Sequence, residues 1–133
     1  MWLKILVRAW AAPYSVLGLV FGLAVVICGG HARVRQGALE FGGGRTGLLL
    51  RRWRIRFAAI TFGHVILGLD AATLDAVRAH EQVHVGQYER WGPFFGPAYL
   101  LSSLVQLARG GRPYLDNRFE REAYAKSSSP SRA

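Results

Sequence analysis

The spacing of apolar residues divides this chain into stretches of different character. From Ala9 to Gly30 no side chain is charged, a run of 22 residues between Arg8 and His31. As a helix rising about 1.5 Å per residue, that run can cross a hydrocarbon core of about 30 Å. Pro13 is expected to split off residues 2–12 as a short interfacial helix, with Trp2 and Trp10 at headgroup level. Gly18 and Gly22 form a G-x-x-x-G, a candidate helix-packing face. Residues 31–42 then alternate about Gln36-Gly37, which predicts a hairpin. Gly42-Gly43-Gly44 reads as a flexible break. Residues 48–58 alternate again, with Trp53, Ile55 and Phe57 on one face and Arg52, Arg54 and Arg56 on the other, and predict a strand. Residues 59–69 read as a further, mostly buried strand.

Beyond this point the period changes. Leu74, Val77, Glu81, His84, Tyr88 and Trp91 are spaced 3, 4, 3, 4 and 3 apart, the stripe of an amphipathic helix. Asp70 or Thr73 caps it and Trp91-Gly92-Pro93 ends it. Gly86 inside it marks a close approach by another element or a tolerated weak point. Leu100, Leu101, Leu104, Val105 and Leu107 predict a second helix from Pro97 to Ala108, too short to span a membrane and closed by Gly110-Gly111. A last helix begins near Asp116-Asn117, and residues 127–133 read as a disordered tail. Short strands followed by helices make an α+β domain at residues 31–126, behind an N-terminal transmembrane anchor at residues 1–30.

Two positions of the long stripe carry polar groups where apolar ones belong. Residues 80–84 read His-Glu-Gln-Val-His, the H-E-x-x-H pattern. On a helix His80 and His84 share a face and can reach one zinc ion. Glu81 lies at the edge of that face, where it can act as general base toward a water the ion activates. Buried carboxylates are costly unless paired or close to a metal, so the burial that the stripe implies for Glu81 favours a metal site. A catalytic zinc usually takes three protein ligands and leaves a position open. A metzincin would place a third histidine at position 90, which is Arg. Glu120 and Glu122 on the last helix remain as candidates, although Asn117 and Glu120 also have capping-box spacing.

Charge is uneven. Of 133 residues, 17 are Lys or Arg and 8 Asp or Glu, a net charge of +9. Residues 1–56 carry nine Lys/Arg against one Glu, and residues 57–133 eight against seven. The basic half also holds the long apolar run, which implies an anionic membrane surface as partner rather than nucleic acid. A cleaved signal peptide is the competing reading of the N-terminus, but the apolar run is long for one. Basic residues are more numerous after the run, at Arg33, Arg35, Arg45, Arg51 and Arg52, than before it. That excess places the bulk of the chain on the cytoplasmic side of a bacterial inner membrane. Cys28 is the only cysteine, so there is no intrachain disulfide and no cysteine zinc cluster.

With these residues in place the chain resembles the glutamate-zincin (gluzincin) metallopeptidases. Those carry H-E-x-x-H on one helix and, on a later helix, a Glu followed four residues on by Asp, with Ala or Ser before the Asp. Glu120 and Ala123 match that second motif, and the stretch from His64 to Tyr124 also looks like a group of small bacterial membrane proteins. The resemblance implies a minimal zincin-like fold and zinc held by His80, His84 and Glu120. Tyr124 stands where the family has the Asp that supports a ligand histidine, which leaves Asp116 or Glu122 to substitute. Tyr88, Tyr114, Tyr124 and His64 are the candidates for stabilising an oxyanion. The expected function is a membrane-anchored zinc metallopeptidase acting on peptide or protein substrates. The alternative is a zinc-stabilised, non-catalytic protein that binds a partner or the membrane surface.

Overall fold

The computed structural model describes residues 1–54 and 58–128. Its architecture is α+β. Helix α1 (Trp2–Ile27) leads into a hairpin of β1 (His31–Arg35) and β2 (Ala38–Gly42). Helix α2 (Gly44–Arg52) and a second hairpin, β3 (Ala59–Phe62) and β4 (Val65–Gly68), follow. Helix α3 (Ala71–Trp91), a 3-10 turn (Gly92–Phe94), α4 (Phe95–Ala108) and α5 (Arg118–Ser128) complete the chain. The sheet order is β1-β2-β4-β3; β2 and β4 run parallel and the hairpin pairs antiparallel. Strand β3 therefore lies at an edge.

The pleat sends alternate residues to two helices. Ala38 and Ile66 pack with Leu74 and Val85 of α3. Glu40 points the same way and is fully buried, its carboxylate held at 2.7–2.9 Å by Arg78 of α3 and Arg33 of β1. Burial opposes ionisation of Glu40, but the two guanidinium groups outweigh it and hold its pKa below the ordinary value.

The opposite pleat meets α1. A Cβ on Gly18 would stand 2.7 Å from Cβ of Val65, and one on Gly22 would stand 2.4 Å from the Phe41 ring. The two glycines of the G-x-x-x-G thus bring α1 against the sheet of its own chain. Fully buried Ala11 continues this face toward Tyr88, Phe95 and Phe119. The outer face of α1 is apolar and exposed, including Leu6, Val16, Val20, Leu23 and Ile27.

Five sequence expectations change. Helix α1 runs unbroken through Pro13, so residues 2–12 are not a separate interfacial helix. A proline removes one backbone donor, and the rest of a 26-residue helix tolerates that loss here. Residues 48–58 do not form one strand: residues 44–52 are helical, and Ile55, Arg56 and Phe57 lie outside the described residues. The Leu48-Leu49-Leu50 run is a good helix former, and Gly47 lets the helix reach the Leu69 carbonyl, which a Cβ would meet at 2.2 Å. Gly43 and Gly44 take positive φ to start α2, so the triple glycine has a defined geometry. Finally, residues 59–69 are two strands. Gly63, at φ 60° and packed against Ser15 of α1, turns the chain so that His64 begins the return. The first two residues of the expected tail, Ser127 and Ser128, belong to α5, and residues 129–133 lie outside the described residues.

Candidate metal centre

Helix α3 begins where Asp70 Oδ1 accepts the Thr73 amide at 2.7 Å, while its Oδ2 pairs with Arg51. Its inner face buries Leu74, Glu81, His84, Val85, Gln87 and Tyr88. Across from it, α5 begins at Asn117, whose Oδ1 accepts the Phe119 amide at 2.9 Å and whose Nδ2 donates to Tyr99 O and Ser103 Oγ. Asn117 alone provides that cap. The Glu120 side chain turns away from the helix end and toward α3, so the capping-box reading of Glu120 does not hold.

His80, His84 and Glu120 converge. Nε2 of His80 lies 3.1 Å from Glu120 Oε2 and 3.2 Å from Nε2 of His84, which is 3.4 Å from Glu120 Oε1. Ligands about 2.0–2.1 Å from a tetrahedral zinc are separated by about 1.6 times that length, or about 3.3 Å. The His80–His84 separation is close to that value, and each imidazole comes about as near to the Glu120 carboxylate, His80 to its Oε2 and His84 to its Oε1. The donor set, two neutral imidazoles and a carboxylate, is the one expected of catalytic zinc.

Gln87 decides which His84 nitrogen faces the cluster. Its Nε2 donates to Phe119 O at 3.0 Å and Glu122 Oε2 at 2.9 Å, so its Oε1 is the atom 2.8 Å from His84 Nδ1. An amide oxygen only accepts, so Nδ1 carries a proton and the neutral ring presents the Nε2 lone pair to the cluster. Two neutral imidazoles and a carboxylate then supply at most one proton to three contacts. A cation at their centre satisfies all three. With a proton there instead, burial opposes charging His84, but Glu120, Glu81 and Gln87 outweigh it and raise its pKa. Burial likewise opposes ionisation of Glu120, and His80, His84 and Tyr99 more than reverse it.

Glu122 is not a third ligand. Its carboxylate bonds Gln87 and Arg90, and these with Lys126 hold its pKa at about 2 against the opposing effect of burial. It supports His84 at one remove, through Gln87. Asp116 instead bonds Arg112. His80 lacks an equivalent support: its Nδ1 is buried with no hydrogen-bond partner among the described residues. Tyr124 packs its ring 4.5 Å from that of His80.

A cleft of about 370 Å³ opens beside the cluster, lined by Glu81, His84 and Glu120 together with residues of α1, β3 and α4. Glu81 Oε2 accepts from Thr61 Oγ1 of β3 at 2.7 Å. Tyr99 OH donates to Glu120 Oε1 at 2.7 Å, and burial, with Glu120 beside it, pushes its pKa up. Tyr88 and Tyr114 also line the cleft. Tyr114 OH lies 3.5 Å from Tyr124 OH. His64 does not enter the site. The turn at Gly63 sends it to the far side, where Nε2 lies 2.9 Å from Glu89 Oε1 near Lys4 and Arg8. Gln87, Thr61 and Tyr99 carry no sequence signal of their own: a motif marks ligands, whereas these act by reaching a ligand across the fold.

Set beside protein-family models, curated proteins and solved structures, the chain matches none of them.

Proposed function

We propose that this protein is a membrane-anchored zinc metallopeptidase with a minimal zincin-like core. The observation that carries this reading is the convergence of His80, His84 and Glu120, with nitrogen and oxygen atoms 3.1–3.4 Å apart, beside Glu81. Zinc held by these three side chains would polarise the scissile carbonyl and lower the pKa of water toward about 7. Glu81 takes the proton from the attacking water and returns it to the leaving amine. Thr61 fixes the Glu81 carboxylate through one oxygen. Tyr99 and Gln87 hold Glu120 and His84 in place. Burial raises the pKa of Tyr114, so its hydroxyl stays protonated as a donor to the developing oxyanion. Among the described residues no strand pairs with the outer side of β3, which offers backbone groups to an extended peptide alongside the cleft.

Helix α1 is the membrane-spanning anchor in this reading, since it is long and apolar enough to cross. Its packing supports retention over cleavage: removing it would uncover Phe41 and Val65 and take Tyr14 out of the cleft wall. The Arg45 amide donates to Cys28 O, so α2, with Arg45, Arg51 and Arg52, sits at the C-terminal end of α1. That basic group suits anionic headgroups and a cytoplasmic location for that end.

The test is zinc content and peptide hydrolysis of the detergent-purified protein. Wild type is expected to hold about one zinc per chain, the number the single site provides. Glu81→Gln should keep the metal and lose activity by about 10²–10⁴-fold. Activity that persists in Glu81→Gln, or in metal-free protein, would contradict the proposal.

A further inference from the structure

The wall of the cleft that faces Glu81 and His84 is built partly from the apolar N-terminal helix. Tyr14 of α1 lines the cleft, and so does Phe62, whose ring lies 5.8 Å from that of Phe21 and beside Gly18. Tyr14 is six residues beyond Arg8 and Phe21 thirteen. At about 1.5 Å per residue these positions are roughly 9 and 20 Å along the axis from the last charge. In a hydrocarbon core of about 30 Å both lie within the bilayer. The catalytic groups are therefore level with the middle of α1.

Helix α4 closes the other side. Gly96 admits Tyr14: a Cβ there would stand 2.1 Å from the Tyr14 hydroxyl, which donates to Pro93 O. No residue from Trp91 to Ala108 is charged. Its polar groups turn inward, Ser103 accepting from Asn117 and Ser102 from the Arg118 amide. Its outer face exposes Leu100, Leu101, Leu104 and Leu107 at 51–63%. Together with the exposed apolar side chains of α1, this is the kind of surface that marks a membrane or partner contact. Among the described residues lining the cleft, charge is confined to Glu81 and Glu120, beside the His84 imidazole. Ile60, at 40% exposure, is part of its apolar lining.

We infer that the cleft receives its substrate from the lipid: an apolar peptide segment resident in the bilayer, reaching the metal site between α1 and α4. This rests on the metallopeptidase reading for the cleavage, but not for the position of the cleft. An apolar segment must leave its helix to be cut, and unpaired backbone groups in hydrocarbon cost several kcal/mol each. The free edge of β3, on the cleft wall, can pair with them.

The test uses the full chain in vesicles of phosphatidylethanolamine and phosphatidylglycerol. In a Cys28→Ser background, nitroxide labels are placed singly at Ile60→Cys in the cleft, Leu104→Cys on α4 and Arg121→Cys on α5. Relaxation by oxygen, which concentrates in lipid, is compared with relaxation by a water-soluble nickel chelate. The oxygen-to-nickel ratio is expected to be several-fold higher at positions 60 and 104 than at 121. Tyr114→Cys replaces Ile60→Cys if that variant does not fold. A nickel-dominated signal in the cleft would overturn access from the lipid and leave the metallopeptidase reading untouched. Zinc content of the same sample reports on that reading separately. With turnover, a reporter carrying an apolar transmembrane segment should be cut at least tenfold faster than a water-soluble peptide of equal length, a difference of about 1.4 kcal/mol. Equal rates would also overturn the inference.

Discussion

Gln87 holds the tautomer of His84, and Glu122 and the Phe119 carbonyl hold Gln87. Such supports are worth about 10–100-fold in metal affinity. Gln87→Leu should therefore weaken zinc binding by about that factor without removing a ligand, as competition with a chelator would show; unchanged affinity would mean that packing alone orients His84. Thr61 donates to Glu81, the proposed general base. Losing a hydrogen bond to a charged group costs about 1.5–3 kcal/mol, so Thr61→Val should lower kcat by about 10–100-fold with zinc content intact. The grouping of His80, Glu81 and His84 was legible because their spacing is fixed by a single helix, and Glu120 was reached through the resemblance to a two-part motif. His64 was misplaced because an alternating pattern does not reveal a turn at Gly63. Gln87 and Thr61 were invisible because their partners come from other elements.

At the level of elements, glycines decide how closely helices approach. Gly22 gives its place to the Phe41 ring. Gly22→Leu should destabilise the whole domain, by about 1–3 kcal/mol from overpacking, in denaturation monitored at the sheet. A free anchor would tolerate it. Gly86 is the opposite case: a Cβ there meets nothing within 4 Å among the described residues, so close approach by them does not explain it. Gly86→Ala should stabilise α3 by about 0.5–1 kcal/mol. The first hairpin, α3 and α4 are legible because one period persists across each, and the start of α5 because Asn117 marks it. Helix α2 is not, because a helical Leu run passes into a longer alternating segment.

For the molecule as a whole, an apolar face and a polar face are joined through one small sheet. The polar face depends on buried Glu40 between Arg33 and Arg78. Removing one partner of a buried pair costs about 3–5 kcal/mol, so Arg78→Ala should be among the most damaging substitutions outside the site. The folded-state pKa of Glu40 is lowered, so its contribution is complete above the ordinary glutamate value of 4.5. It is lost as pH falls through the lower folded value, and acid unfolding should shift to higher pH in Glu40→Gln. That α1 would share a core with the domain was not legible, because its apolar run satisfies a span whether or not one stripe also packs inward. His80, His84 and Glu120 are proposed to hold one metal ion together. Elemental analysis of wild type, His84→Ala and Glu120→Ala tests it most directly. About one zinc per chain in wild type, lost in both variants, is the predicted result. Zinc retained in Glu120→Ala, or absent from wild type after reconstitution, would contradict it.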